Sequence, residues 1–317
     1  MKNFWQKLKK PIIAVAPMAG YTDSAFRLIC RKYGADVVYT EMISADALHY
    51  DAKKTLEMLK FNKKEKPVVC QLFGKRPEMF AKAVKIVESF GYDGIDINFG
   101  CPARKVVAHG GGVTLMRDLD NCYEIIKIVC EAAKVPVSIK IRASIKKGEQ
   151  IIYATDLIEK IKDLPVAAVM IHGRSYEGGF SGPVDFEMIK KVKETFKGIV
   201  LGNGGIDSPE ATKKMIDKTG VDGVGLARGL WKKPYLGKLI KEYLKKGDYK
   251  NWDLRKIKKM AIEHAKLMFE TKGNKGIMEM RKFLLFYFKG FPNASEARQR
   301  LVKVETLKDV EKVLKEI

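Results

Sequence analysis

Eight short apolar runs, each followed by amphipathic helical spacing, pattern the first 246 residues of this 317-residue chain. The runs lie at 12–16, 36–40, 67–73, 94–98, 136–141, 166–172, 198–202 and 222–227. They are rich in Val and Ile without polar alternation, as strands buried on both faces of a parallel sheet must be. Helical spacing fills 77–90, 121–133, 150–162, 186–196 and 208–218 between them. Strand and helix alternating eight times predicts an α/β fold, the (β/α)8 TIM barrel.

Past about residue 246 the pattern changes. Segments 252–269, 275–288 and 295–314 read as helices with no strand between them. We therefore expect a barrel over 1–246 and a small helical domain over 247–317. The aromatics Phe283, Phe286, Tyr287 and Phe288 are spaced so that some face a core, and packing accounts for them better than base stacking.

Charge narrows the partners. Sixty Lys and Arg stand against 38 Asp and Glu, a formal net charge of +22. A surface rich in Lys and Glu explains the two rising together but not the excess, which repels itself unless a polyanion binds. Nucleic acid is the favoured partner, with an anionic membrane surface or plain solubility as the alternatives. The five cysteines at 30, 70, 101, 122 and 130 are odd in number, form no CxxC pair and have no histidine at zinc spacing. They predict a reducing cytoplasm, no metal, and packing roles for Cys30, Cys70, Cys122 and Cys130. The first eleven residues are basic without an apolar core, and no run approaches the roughly 20 apolar residues of a membrane span. A soluble, cytoplasmic protein is expected.

In a barrel, chemistry gathers at the C-terminal strand ends. Here those ends carry Pro17-Met18-Ala19-Gly20, Gln71, Asn98 with Cys101, Lys140 with Arg142, His172-Gly173-Arg174, Gly202-Asn203-Gly204-Gly205 and Ala227-Arg228-Gly229. Glycines 202, 204 and 205 let backbone N–H groups approach a phosphate. A helix opening near Ser208 or after Arg228 offers its positive end, and Arg228 adds a charge-assisted bond. Lys140 alternates toward the barrel mouth, where an unpaired ammonium is costly. Facing the N1/O2 edge of a flavin would offset that cost, while Gln71 and His172 could bond the ring edge. FMN satisfies both the phosphate site and the interior polar groups. Structural alternatives stand beside these readings: Lys140 paired with Asp96 or Glu41, Gln71 a surface amide, His172 a satisfied core histidine, and Cys101 a small buried hydrophobe.

The runs Ala16-Pro17-Met18-Ala19-Gly20-Tyr21-Thr22-Asp23 and Asn98-Phe99-Gly100-Cys101-Pro102 resemble the tRNA-dihydrouridine synthases. So do Lys140-Ile141-Arg142, His172-Gly173-Arg174, Gly202-Asn203-Gly204-Gly205-Ile206 and Ala227-Arg228-Gly229. The match runs in order from Pro11 to about Pro234, and the tail resembles the family's helical domain in character. The resemblance implies an oxidoreductase whose FMN-bearing barrel reduces the C5=C6 bond of particular tRNA uridines, with NADPH or NADH as reductant. Hydride would pass from flavin N5 to uracil C6 and a proton from Cys101 to C5. Positions matching FMN contacts are Pro17, Met18, Ala19, Gln71, Lys140, His172, Asn203, Gly204, Gly205, Ala227 and Arg228. Asn98, Arg142 and Arg174 match positions near the substrate uracil or its phosphates, and a monomer is implied. Two departures stand out: Leu226-Ala227 before Arg228 is bulkier than the family's usual Gly-x-Gly-Arg, and Ala143-Ser144 replaces the usual Leu-Gly.

A flavin barrel acting on a free pyrimidine or small enoyl compound would share the cofactor site but have little use for the charge and the tail. A basic RNA-binding protein without catalysis would leave Lys140 and the glycine loops unexplained.

Overall fold

The computed structural model describes residues 3–291 and 294–316. Eight parallel strands close into a ring: β1 (Ile12–Val15), β2 (Val37–Ser44), β3 (Val68–Phe73), β4 (Gly94–Phe99), β5 (Val137–Lys147), β7 (Val166–Ser175), β8 (Ile199–Asn203) and β9 (Gly223–Leu226). Pairing of β4 with β5 and of β1 with β9 completes the closure. Each of the eight apolar runs forms one of these strands, because residues buried on both faces leave no polar side to break the run.

Alternation decides which side chains fill the barrel. Ile12, Ala14, Val37, Tyr39, Val69, Met170 and Leu201 pack inside, with Trp5 from the short helix Phe4–Lys7 among them. Their neighbours Ile13, Val15, Val38 and Val169 point outward into the larger core beneath the helices. Space inside is tight: a Cβ on Gly225 would come 2.6 Å from the Met170 sulfur.

One segment expected as helix is not. Residues 150–153 form β6 (Gln150–Tyr153), antiparallel to the end of β5, and the helix starts only at Ala154. Ile152 is buried between exposed Ile151 and Tyr153, a two-residue period that fits a strand. The departure Ala143-Ser144 falls at the start of this hairpin, where Ser144 pairs with Tyr153.

A helix Leu236–Lys246 ends at Gly247, whose φ of 79° is left-handed. The tail then runs as one long helix, Leu254–Tyr287, interrupted at Gly273, followed by Ala294–Leu301 and Leu307–Glu316. Gly273 thus divides the long helix near where two helices were expected, while 295–314 breaks into two. Phe283, Tyr287 and Phe288 are buried. Phe283 stacks on Phe26 at 5.1 Å and meets Tyr21 edge-on at 5.6 Å. Lys272 bridges Asp23 and Glu279, both at 2.7 Å. The tail therefore rests on the loop that follows β1.

Candidate active site

The polar strand ends converge on one cavity of about 1110 Å³ at the barrel mouth. Pro17, Met18 and Ala19 line it from the loop after β1, and Gln71, Asn98 and Cys101 from β3 and β4. Lys140 and Arg142 enter from β5, His172 and Arg174 from β7. Asn203, Gly204 and Gly205 after β8 and Ala227 and Arg228 after β9 complete the wall. Every site residue expected from the sequence is in this one place. Parallel register is the cause: Asn98 lies opposite Lys140, Arg142 opposite His172, and His172 opposite Asn203.

Lys140 is half-buried and makes no hydrogen bond or ion pair among the described residues. Neither Asp96 nor Glu41 pairs with it; Asp96 takes its bonds from Ser138 and Gln71, and Glu41 from the Gly20 N–H. Burial pulls the Lys140 ammonium down to about 8, with Arg142 adding to the shift while Asp96 and Cys101 oppose it. Burial also pulls His172 down to about 2, reinforced by Lys140, Arg142, Arg174 and Arg228, so the imidazole is neutral. Its Nε2 lies 3.2 Å from Arg174 Nη1, which can only donate. That makes Nε2 the acceptor and leaves the proton on Nδ1.

Cys101 is half-exposed, and burial outweighs the Ala103 N–H, Lys140 and Arg142 in pushing its thiol up. The group is a neutral acid at pH 7. Its loop is held from two sides. The Asn98 Oδ1 accepts the N–H groups of Gly100 and Cys101, at 3.0 and 2.9 Å. The Cys101 carbonyl accepts from Val113 N–H at 3.1 Å.

The arginines do something the sequence did not show. Arg142, 1% exposed, donates to the carbonyls of Gly100 at 3.0 Å, Ser175 at 2.9 Å and Gly179 at 3.0 Å. Arg174 donates to Gly182, and Arg228 to Phe180 at 2.9 Å. Three guanidiniums thus clamp the 175–182 loop over the cavity. The helix after Arg228, Gly229–Lys232, is a single turn.

Comparison with known sequences decides the family. The family described as Dihydrouridine synthase (Dus) matches residues 14–317. The chain belongs to the dihydrouridine synthase family. Among relatives, the probable tRNA-dihydrouridine synthase 1 of Synechocystis sp. is 33% identical over 93% of this chain and 82% of its own. A probable tRNA-dihydrouridine synthase of Aquifex aeolicus is 32% identical over 97% and 96%, and the tRNA-dihydrouridine synthase B of Pseudomonas aeruginosa 31% identical over 92% and 88%. Solved structures share the barrel. Histamine dehydrogenase from Rhizobium sp. 4-9 superposes with a TM-score of 0.57 at 16% identity, over 80% of this chain and 48% of that one. The old yellow enzyme homologue from Zymomonas mobilis gives 0.54 at 12% identity, over 75% and 90%.

The cavity of this family member also has walls that sequence reasoning passed over: Tyr21, Met42, Phe180, Trp231, Lys232 and Lys233. Tyr21 stacks on Trp231 at 4.3 Å. Phe180 is 53% exposed, with the Arg228 guanidinium 4.9 Å from its ring. An aromatic inside the glycine-rich run 178–182 was the available signal for Phe180; nothing local marks Trp231.

Proposed function

We propose that this chain reduces the C5=C6 bond of specific uridines in tRNA to 5,6-dihydrouridine, with FMN in the barrel-mouth cavity and NADPH or NADH as the electron source. The observation that carries this reading is the meeting of Cys101, Lys140 and His172 with three arginines in one cavity of a dihydrouridine synthase family member.

The residues fit the cofactor. Lys140 offers an unpartnered ammonium to an electron-rich ring edge, and His172 offers a neutral Nδ1–H. At Gly204, where φ is +116°, a Cβ would stand 2.9 Å from His172 Cδ2, so the backbone comes close where a side chain could not. Arg228, which lines the same cavity, would supply positive charge to the cofactor's phosphate. Bound there, FMN supplies the two-electron reduction that no side chain can perform.

The protein's own contribution is positioning and proton supply. Cys101 holds a proton on Sγ at neutral pH and gives it to uracil C5 as negative charge develops there. Asn98 and Arg142 keep the Cys101 loop in place through the backbone of residues 100 and 101. The clamped 175–182 loop holds Phe180 at the cavity wall. A uridine reaches this depth only when turned out of the RNA fold.

The excess of 60 basic over 38 acidic residues serves the phosphates of tRNA. Residues 247–317 act as the domain that orients the RNA over the mouth of the 1–246 barrel, and the protein works as a cytoplasmic monomer. No helix among the described residues is long and apolar enough to cross a membrane.

The test is the visible spectrum of the purified protein with NADPH and unmodified tRNA, followed by nucleoside analysis. Flavin bands that bleach with NADPH and recover as dihydrouridine forms are expected. Flavin cycling without modified RNA would point to a small-molecule reductase, and a protein that binds no flavin would overturn the reading.

A further inference from the structure

A chain of side-chain hydrogen bonds under the cavity floor has only one consistent polarity. Asp96 lies inside the barrel at 0% exposure. It accepts from Ser138 Oγ at 2.6 Å on one oxygen and from Gln71 Nε2 at 2.7 Å on the other. Gln71 Oε1 accepts from Asn98 Nδ2 at 2.9 Å, and Asn98 Oδ1 takes the N–H groups of Gly100 and Cys101. A carboxylate only accepts and a backbone N–H only donates. Both amides must therefore point nitrogen toward Asp96 and oxygen toward Cys101. Turning either one sets donor against donor or acceptor against acceptor, a costly arrangement when buried.

We propose that Asp96 is a positioning residue for Cys101, holding the thiol loop in register through Gln71 and Asn98. The inference rests on the reading of Cys101 as the proton donor. Asp96 does not itself line the cavity, has no hydrogen bond to Cys101, and forms no ion pair with Lys140. What it supplies is the acceptor that ends the chain. Burial pushes its carboxyl up to about 6, against Ser138, Gln71 and Lys140, so it remains ionised at neutral pH.

Two substitutions separate this role from simple packing. Asp96→Asn keeps an oxygen for Gln71 and turns its NH2 toward Ser138 Oγ, which can accept. Asp96→Leu removes the acceptor and frees both amides to turn. The readout is the rate at which iodoacetamide alkylates Cys101 in the full chain, followed by peptide mass spectrometry, with half-exposed Cys130 in the same sample as reference. Asp96→Leu should change the Cys101 rate by about threefold or more with Cys130 unchanged, and Asp96→Asn should restore it. In turnover, Asp96→Leu should lower kcat about tenfold with little change in KM for tRNA. If Asp96→Leu does not fold, Gln71→Met breaks the same chain at its middle. Its Cys101 rate is read with and without added FMN, and an equal change in both excludes a lost cofactor contact as the cause.

An unchanged Cys101 rate in Asp96→Leu, or in Gln71→Met, overturns the proposal. So does an Asp96→Asn variant as altered as Asp96→Leu, because that would make charge rather than bond polarity the requirement. Alkylation reads the loop without turnover. A Cys101→Ala protein that still makes product would therefore refute the proton donor while leaving the positioning result intact.

Discussion

Arg142 donates its Nε–H to the carbonyl of Gly100 at 3.0 Å, so β5 is bonded directly to the loop that carries Cys101. The same guanidinium reaches Ser175 and Gly179, which makes one buried side chain the joint between the thiol loop and the loop over the cavity. Replacing it with Met would leave three carbonyls without their donor. We expect Arg142→Met to lose about 3 kcal/mol of stability and most of its activity, read by urea unfolding beside a turnover assay. A stability unchanged from wild type would show that the three carbonyls find other partners.

Cys101→Ala removes the Sγ proton, and the groups proposed to hold the flavin are other residues of the cavity. The variant should bind FMN as wild type does yet form dihydrouridine about 100-fold more slowly or less, the usual size of a lost general acid. Flavin absorbance and nucleoside analysis on one preparation check both halves. Product at the wild-type rate would remove Cys101 from the mechanism.

Gly204→Ala should weaken FMN binding about tenfold or more, because the added methyl meets His172 at 2.9 Å in a backbone with φ of +116°. Titration of the apoprotein by flavin fluorescence measures it. Gly148 also has positive φ but has nothing within 4 Å of its Cβ, so Gly148→Ala should leave FMN affinity unaltered and serves as the control.

His264 is buried between the tail and the barrel, with Nδ1 2.9 Å from the Tyr287 hydroxyl. Burial pulls its pKa down to about 4; Lys272 and Lys282 add to this, and Asp23 opposes it. The unfolded chain therefore takes up this proton at a higher pH than the folded one. The contribution is full above about 6.5 and is lost as pH falls toward 4, amounting to about 3 kcal/mol at most. Urea midpoints at pH 7 and pH 4.5 should drop further in wild type than in His264→Leu. Equal drops would exclude His264 as the source.

The barrel was legible because each strand is a run of residues buried on both faces, a property carried by the run itself and independent of its neighbours. The same holds for the site residues at the strand ends. Parallel closure brings all C-terminal ends to one rim, so Gln71, Lys140, His172 and Asn203 could be gathered before any distance was known. Residues 150–153 were misread because their apolar content suits a helix in isolation, and only the paired end of β5 makes them a strand.

What sequence could not decide is how the polar groups spend their bonds. Arg142 and Arg174 match positions near a substrate, and only the fold shows that they also bond carbonyls of the 175–182 loop. Asp96 stood with Glu41 as an alternative partner for Lys140, whereas it ends a chain that leads to Cys101. Trp231 and Phe180 join the cavity wall only once the fold brings their segments to the barrel mouth. Burial and secondary structure follow from local pattern, but a hydrogen bond between residues 27 or 42 positions apart exists only once the ring has closed and set their register.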